Sequence, residues 1–101
     1  MPAYVLVEAT NLDSARAAQY FSIAAASIAA YGGRYLIQGA TPHVAEGPPW
    51  PTGRVVTAIE FPTLDRLREW YDSPEYGEAR AVREGAIDLR LLFAEGITDP
   101  E

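Results

Sequence analysis

The chain opens on an alternation of period two. Along residues 3–9 (AYVLVEA), Ala3, Val5, Val7 and Ala9 fall on one side and Tyr4, Leu6 and Glu8 on the other, which predicts a first strand. The period then changes. Asn11-Leu12-Asp13-Ser14 supplies turn and capping residues. From about Asp13 to Tyr31, the residues Ala17, Tyr20, Phe21, Ala24, Ile28 and Tyr31 recur on one face of a 3.6-residue repeat that stops at Gly32-Gly33, as a helix would. Its opposite face, Ser14, Ala18, Ser22, Ala25 and Ala29, is uniformly small. Two readings fit that face: an alanine-rich helix back left to solvent, and a close contact with another chain.

Strand signals return at residues 34–38 (RYLIQ) and 54–61 (RVVTAIEF), the latter closed by Pro62. Between them, residues 40–53 hold Pro42, Pro48, Pro49 and Pro51 with His43, Glu46 and Trp50. This is a long irregular loop for a compact domain, of the sort that often carries function. Thr63 caps a helix bearing Leu64, Leu67, Trp70 and Tyr71. Ser73-Pro74 then restarts helix as N-cap and first helical position, running to about Glu84. Residues 88–95 (DLRLLFAE) give a fourth strand.

The expected organisation is one domain over residues 1–101, with a core spanning 3–96 and a tail at 97–101. Strand–helix–strand–strand–helix–strand is the ferredoxin-like, split β-α-β order, an α+β fold with a four-stranded antiparallel sheet and helices on one face. The other sheet face is then bare, and several of its residues are apolar. A partner sheet is the natural cover, so the expected assembly is a homodimer with opposed sheets.

Composition removes most chemistries. There is no cysteine and a single histidine, His43, and all eight basic residues are arginine. Thiolate sites, iron–sulfur clusters, multi-histidine metal sites and lysine Schiff bases are excluded, and no metal or cofactor is expected. The net charge is −6, with eleven acids against six arginines in residues 51–101 and three against two in residues 1–50. Without a basic cluster, neither nucleic acid nor an anionic membrane is an expected partner. The uncharged run from Ala17 to Gly33 is interrupted by Gln19, Ser22, Ser27 and two glycines and falls short of a membrane span. The N-terminus carries no charged leader, and cytoplasmic residence is the expectation.

The remaining candidates are few. Tyr76, Arg80 and Arg83 lie at i, i+4 and i+7 on one side of a helix. Arg83 beside a phenol could cradle a small anionic organic ligand. The competing reading packs Tyr76 in the core and pairs Arg83 with an acid such as Glu60 or Glu84. Tyr71, Trp50 and Arg34 are further candidates for lining a ligand cleft. His43 and Glu60 are the candidate proton-transfer groups. A solvated loop histidine, and a structural ion pair of Glu60 or Glu8 with Arg34 or Arg54, are the plainer alternatives.

Several motifs also resemble a known family. They are Tyr31-Gly32-Gly33-Arg34-Tyr35-Leu36, Glu46-Gly47, Arg54-Val55-Val56, Ile59-Glu60-Phe61-Pro62, Trp70-Tyr71-Asp72-Ser73-Pro74-Glu75-Tyr76 and Arg83. Together they resemble domain-of-unknown-function family 1330, within the dimeric α+β barrel superfamily. The resemblance implies the ferredoxin-like fold and a dimer of facing sheets. It implies no activity, although the superfamily includes cofactor-free monooxygenases and lactone isomerases. The function to expect is therefore a small dimeric protein acting without cofactor on a partly apolar organic acid in a sheet–helix cleft, or else a non-catalytic binding or structural dimer module.

Overall fold

The computed structural model describes residues 1–97, so all but the first residue of the expected tail lies outside the described residues. The elements are β1 (Ala3–Asn11), α1 (Ser14–Ala30), β2 (Arg34–Ala40), β3 (Arg54–Phe61), α2 (Leu64–Tyr71), α3 (Pro74–Arg83) and β4 (Ile87–Glu95). The strands form one antiparallel sheet in the order β2-β3-β1-β4. This is the ferredoxin-like arrangement, with the second helix divided in two.

Capping explains the boundaries. Asp13 is the N-cap of α1, one residue outside it, and its Oδ1 accepts the Arg16 N–H at 3.1 Å. Thr63 caps α2 in the same way, accepting from the Arg66 N–H at 3.1 Å. Ser73 divides α2 from α3: its hydroxyl donates to the Trp70 carbonyl at 2.6 Å and accepts the Tyr76 N–H at 3.1 Å. Pro74 then occupies the first helical position, where no N–H is needed. That turn aims Tyr76 inward.

The strands alternate as their sequences predict. Val5 stands opposite Ile59 on β3 and Phe93 on β4, and Ala3 opposite Phe61, so these residues share the helix-covered face. Beneath the helices, Trp70, Tyr76, Phe61, Leu67 and Val5 are the largest fully buried side chains. The Trp70 ring centroid lies 4.3 Å from that of Tyr76 and 5.2 Å from that of Phe61. Its indole N–H donates to Ser27 Oγ at 2.9 Å, and Ser27 donates onward to the Ala24 carbonyl at 2.7 Å. Ser27 is thus a buried member of a helix face that otherwise reads as apolar. The α1–β2 turn closes directly on this core. A Cβ at Gly33 would stand 2.7 Å from both Ile28 Cγ2 and Phe61 Cε1, so no larger residue fits without displacing them.

The other sheet face has no helix over it. Its middle is apolar, with Leu6 41% exposed, Ile37 46% and Leu92 39%. One end is charged. Arg54 lies 3.4 Å from Glu8 and 3.6 Å from Asp88, and Arg90 lies 3.8 Å from Glu8. No helix among the described residues is long and apolar enough to cross a membrane.

Candidate functional site

A cavity of about 280 Å³ lies between α1 and the β2–β3–β1 part of the sheet. It exists because the facing residues are small: Ala24 on α1 and Ala9 on β1 do not fill the space that Ile28, Val7, Val55 and Ile59 enclose. One flank comes from an irregularity in β2. The β2–β3 register shifts between Tyr35 and Ile37, and again between Ile37 and Ala40. Gly39, at φ +64°, gives its N–H to Thr57 Oγ1 at 2.9 Å. A left-handed conformation of this kind is one that glycine adopts without strain. Gln38, Gly39 and Thr57 all line the cavity.

The polar groups of the cavity are mainly phenolic. Tyr20 and Tyr35 line it. The Tyr20 hydroxyl is 2.9 Å from that of Tyr76, which accepts from Arg83 Nη1 at 3.0 Å. Counting donors orients this chain. Arg83 can only donate, and Tyr76 is fully buried, so the Tyr76 proton finds its acceptor at the Tyr20 oxygen. The Tyr20 proton is then the one donor of the chain left over, on a residue that lines the cavity.

Burial pushes the Tyr20 phenol well above its ordinary range, with the neighbouring Tyr76 adding to the effect and Arg83 opposing it. Burial likewise raises Tyr35, helped by Tyr76. It also raises Tyr76, against the lowering influence of the Tyr20 hydrogen bond and of Arg83 and Arg80. These are neutral hydrogen-bond donors rather than bases. The lining contains no carboxylate and no imidazole. Among the described residues, no three histidine, aspartate or glutamate side chains group as a metal site would require.

The candidates from sequence are distributed unequally around this cavity. Tyr76 and Arg83 connect to it through Tyr20. Arg83 contacts that phenol, whereas Glu60 forms a 2.7 Å ion pair with Arg34. Strand alternation explains the separation, because Ile59 and Phe61 face the helices and Glu60 therefore points to the bare side. Tyr71 lies nearer β4, its ring 5.3 Å from that of Phe93 and 4.2 Å from the Arg80 guanidinium. Trp50 donates its indole N–H to the Arg54 carbonyl and so fastens the proline-rich loop. His43 is exposed in that loop.

Sequence reasoning placed Tyr20 on the core stripe of α1 and Tyr35 within a strand, and it passed over Gln38 and Thr57. One signal was available for the tyrosines. A phenol on a buried stripe must find a partner for its hydroxyl, so core tyrosines on different elements mark where a polar cluster can assemble.

Comparison with known proteins agrees with this architecture. A protein of unknown function from Rhodopseudomonas palustris, RPA0582, superposes with a TM-score of 0.77 at 21% identity, covering 97% of this chain and 84% of its own. SnoaB, a cofactor-independent oxygenase from Streptomyces nogalater, gives 0.65 at 14% identity, with 99% and 98% covered. A dimeric ferredoxin-like protein of unknown function from Thermobifida fusca gives 0.64 at 14%, with 93% and 90% covered. At these identities the likeness establishes the fold alone. No curated protein matches the sequence. The description "Domain of unknown function (DUF1330)" matches residues 2–97, and the chain belongs to that family.

Proposed function

We propose that this chain is a cofactor-independent enzyme acting on a small, partly apolar organic acid or enolisable carbonyl compound held between α1 and the sheet. The observation that carries this reading is the donor chain from Arg83 through Tyr76 to Tyr20, ending at an otherwise apolar cavity. A guanidinium behind two phenols polarises the last O–H toward a substrate oxygen. It also favours negative charge developing there, as a preorganised oxyanion-stabilising group does. The cavity volume lies just below the usual range of ligand pockets, roughly 300–1,000 Å³, which favours a compact substrate. The likeness to a cofactor-independent oxygenase supports the reading at the level of fold.

One observation favours a second reading, a non-catalytic binding module. The cavity lining holds no group that would serve as a base near neutral pH, so proton abstraction would have to come from the substrate itself or from solvent.

Tyr20→Phe keeps the ring and removes the terminal donor. Small aromatic carboxylates such as benzoate are expected to raise the melting temperature of the wild type. Their affinity should fall about 10- to 150-fold in the variant, the range for one lost hydrogen bond to a charged group. If benzoate and its ring-substituted relatives leave the wild-type melting temperature unmoved, the carboxylate reading fails. Native mass spectrometry of freshly isolated protein then asks which neutral molecule takes the cavity.

The proposed working form is a homodimer with the bare sheet faces opposed. Its support is the apolar strip of Leu6, Ile37 and Leu92 and the dimeric state described for the Thermobifida fusca protein. Sedimentation should give about twice the 11.0 kDa chain mass, and Leu92→Arg should shift it to the monomer by placing a charge in the contact. A wild type that sediments as a monomer at micromolar concentration would remove this element of the proposal.

A further inference from the structure

We infer that the chain carries a second binding site, for an oxyanion group, on the outer side of α3 between Arg80 and Arg83. These two arginines stand about one helical turn apart and line an open depression of about 410 Å³ with Gly77, Ala81 and Glu84. Nothing stands within 4 Å of where a Cβ at Gly77 would lie, so the depression is unobstructed from that side.

The charge pattern sets this spot apart. The chain has fourteen acids against eight arginines, and Arg34, Arg54, Arg66 and Arg90 each lie within 4 Å of a carboxylate. Among the described residues Arg16, Arg68, Arg80 and Arg83 have no such partner, and of these only Arg80 and Arg83 line a common depression.

Both side chains are already held. Arg80 donates to the Tyr71 carbonyl at 2.6 Å and lies over the Tyr71 ring at 4.2 Å. Arg83 gives Nη1 to the Tyr76 hydroxyl. A further positive charge stands nearby, since Arg16 Nη2 donates to the Val82 and Glu84 carbonyls at 3.0 and 2.7 Å. Fixed guanidiniums lose little freedom on binding, and their fork geometry suits carboxylate or phosphate. The opposing influence is Glu84, the acid in the lining. The site shares Arg83 with the donor chain that runs through Tyr76 to Tyr20, but none of its lining residues lines the cavity.

The test uses the whole protein, with amide chemical shifts followed by NMR during titration with inorganic phosphate and, separately, acetate at matched ionic strength. Saturable shifts are expected at Gly77, Arg80, Ala81 and Glu84, with a midpoint on the order of millimolar. Arg83→Gln should weaken the response by about tenfold. Glu84→Gln, a surface change that leaves the fold alone, should tighten it about two- to threefold by removing the nearby negative charge. Tyr20→Phe should leave it unchanged, which separates this site from the cavity. The tighter of the two anions assigns the ligand class as phosphate ester or carboxylate. The inference is overturned if neither anion saturates by about 50 mM. It is equally overturned if the shifts spread over exposed arginines such as Arg68 and ignore Glu84→Gln.

Discussion

Trp70→Ala is expected to lower the unfolding free energy by about 3–5 kcal/mol, the range for deleting a large buried aromatic side chain. In a domain of this size that is roughly 4–8 °C of melting temperature for each kcal/mol. Trp70 is 1% exposed and contacts Phe61 and Tyr76 with its ring and Ser27 with its indole nitrogen. Alanine therefore leaves a void at the place where α1, α2, α3 and the sheet meet. Trp70→Phe should cost much less, about 1–2 kcal/mol, because most of the ring contact survives and Ser27 keeps its bond to the Ala24 carbonyl. Urea denaturation at fixed protein concentration measures both variants, and Trp50 remains as a fluorescent reporter. A loss under about 1 kcal/mol for the alanine variant would mean that the indole is not packed as described.

Stability should also collapse steeply in alkali. Tyr20, Tyr35 and Tyr76 have phenols raised above their ordinary value of 10.0 by burial. Below that pH both folded and unfolded chains keep these protons, and the contribution is fully present. Above it the unfolded chain releases them while the folded chain holds them, so the unfolded state binds fewer protons and stability falls as pH rises. Each phenol contributes a slope of up to about 1.4 kcal/mol per pH unit, and Tyr20, the most strongly raised of the three, comes nearest to that limit. Phenolate absorbance should show at least three of the six tyrosines still protonated past pH 10 and ionising together with unfolding. Smooth titration of all six near pH 10 with the fold intact would contradict the buried cluster.

Much of the fold can be read from the sequence because its signals are local. Period-two alternation gave β1 and β3, and capping residues at Asp13, Thr63 and Ser73 set the helix starts. The strand ends were less legible. β1 runs on to Asn11, β2 to Ala40 and β4 begins at Ile87, all extended by pairing partners that no local pattern encodes. The site was harder still. Tyr76 and Arg83 are visible as a helical i, i+7 pair, but Tyr20 and Tyr35 join them only through tertiary packing. The alternation that predicts the strand also predicts which way Glu60 points once the helix-covered face is known. Until then a carboxylate within an apolar strand suits a catalytic base as well as an ion pair. His43 shows the limit of composition: being the lone imidazole singles it out, yet its loop leaves it exposed.

The place of β1 in the sheet has a consequence for how the molecule forms. β1 lies between β3 and β4, and its register pairs Ala3 with Phe61 on one edge and with Glu95 on the other. The central strand is therefore made before both of its neighbours, with β2, β3 and all three helices between it and β4 in the chain. Contacts of such long range slow folding, because the intervening chain must be ordered before they form. During synthesis β1 would wait with both edges open, β-branched and apolar, in the state most prone to pair with a stranger. The small-residue α1 that follows it carries a single charge, Arg16, and offers little electrostatic protection. For this chain the hazard is greatest before β4 has emerged, and its yield should be sensitive to how crowded and how fast that interval is.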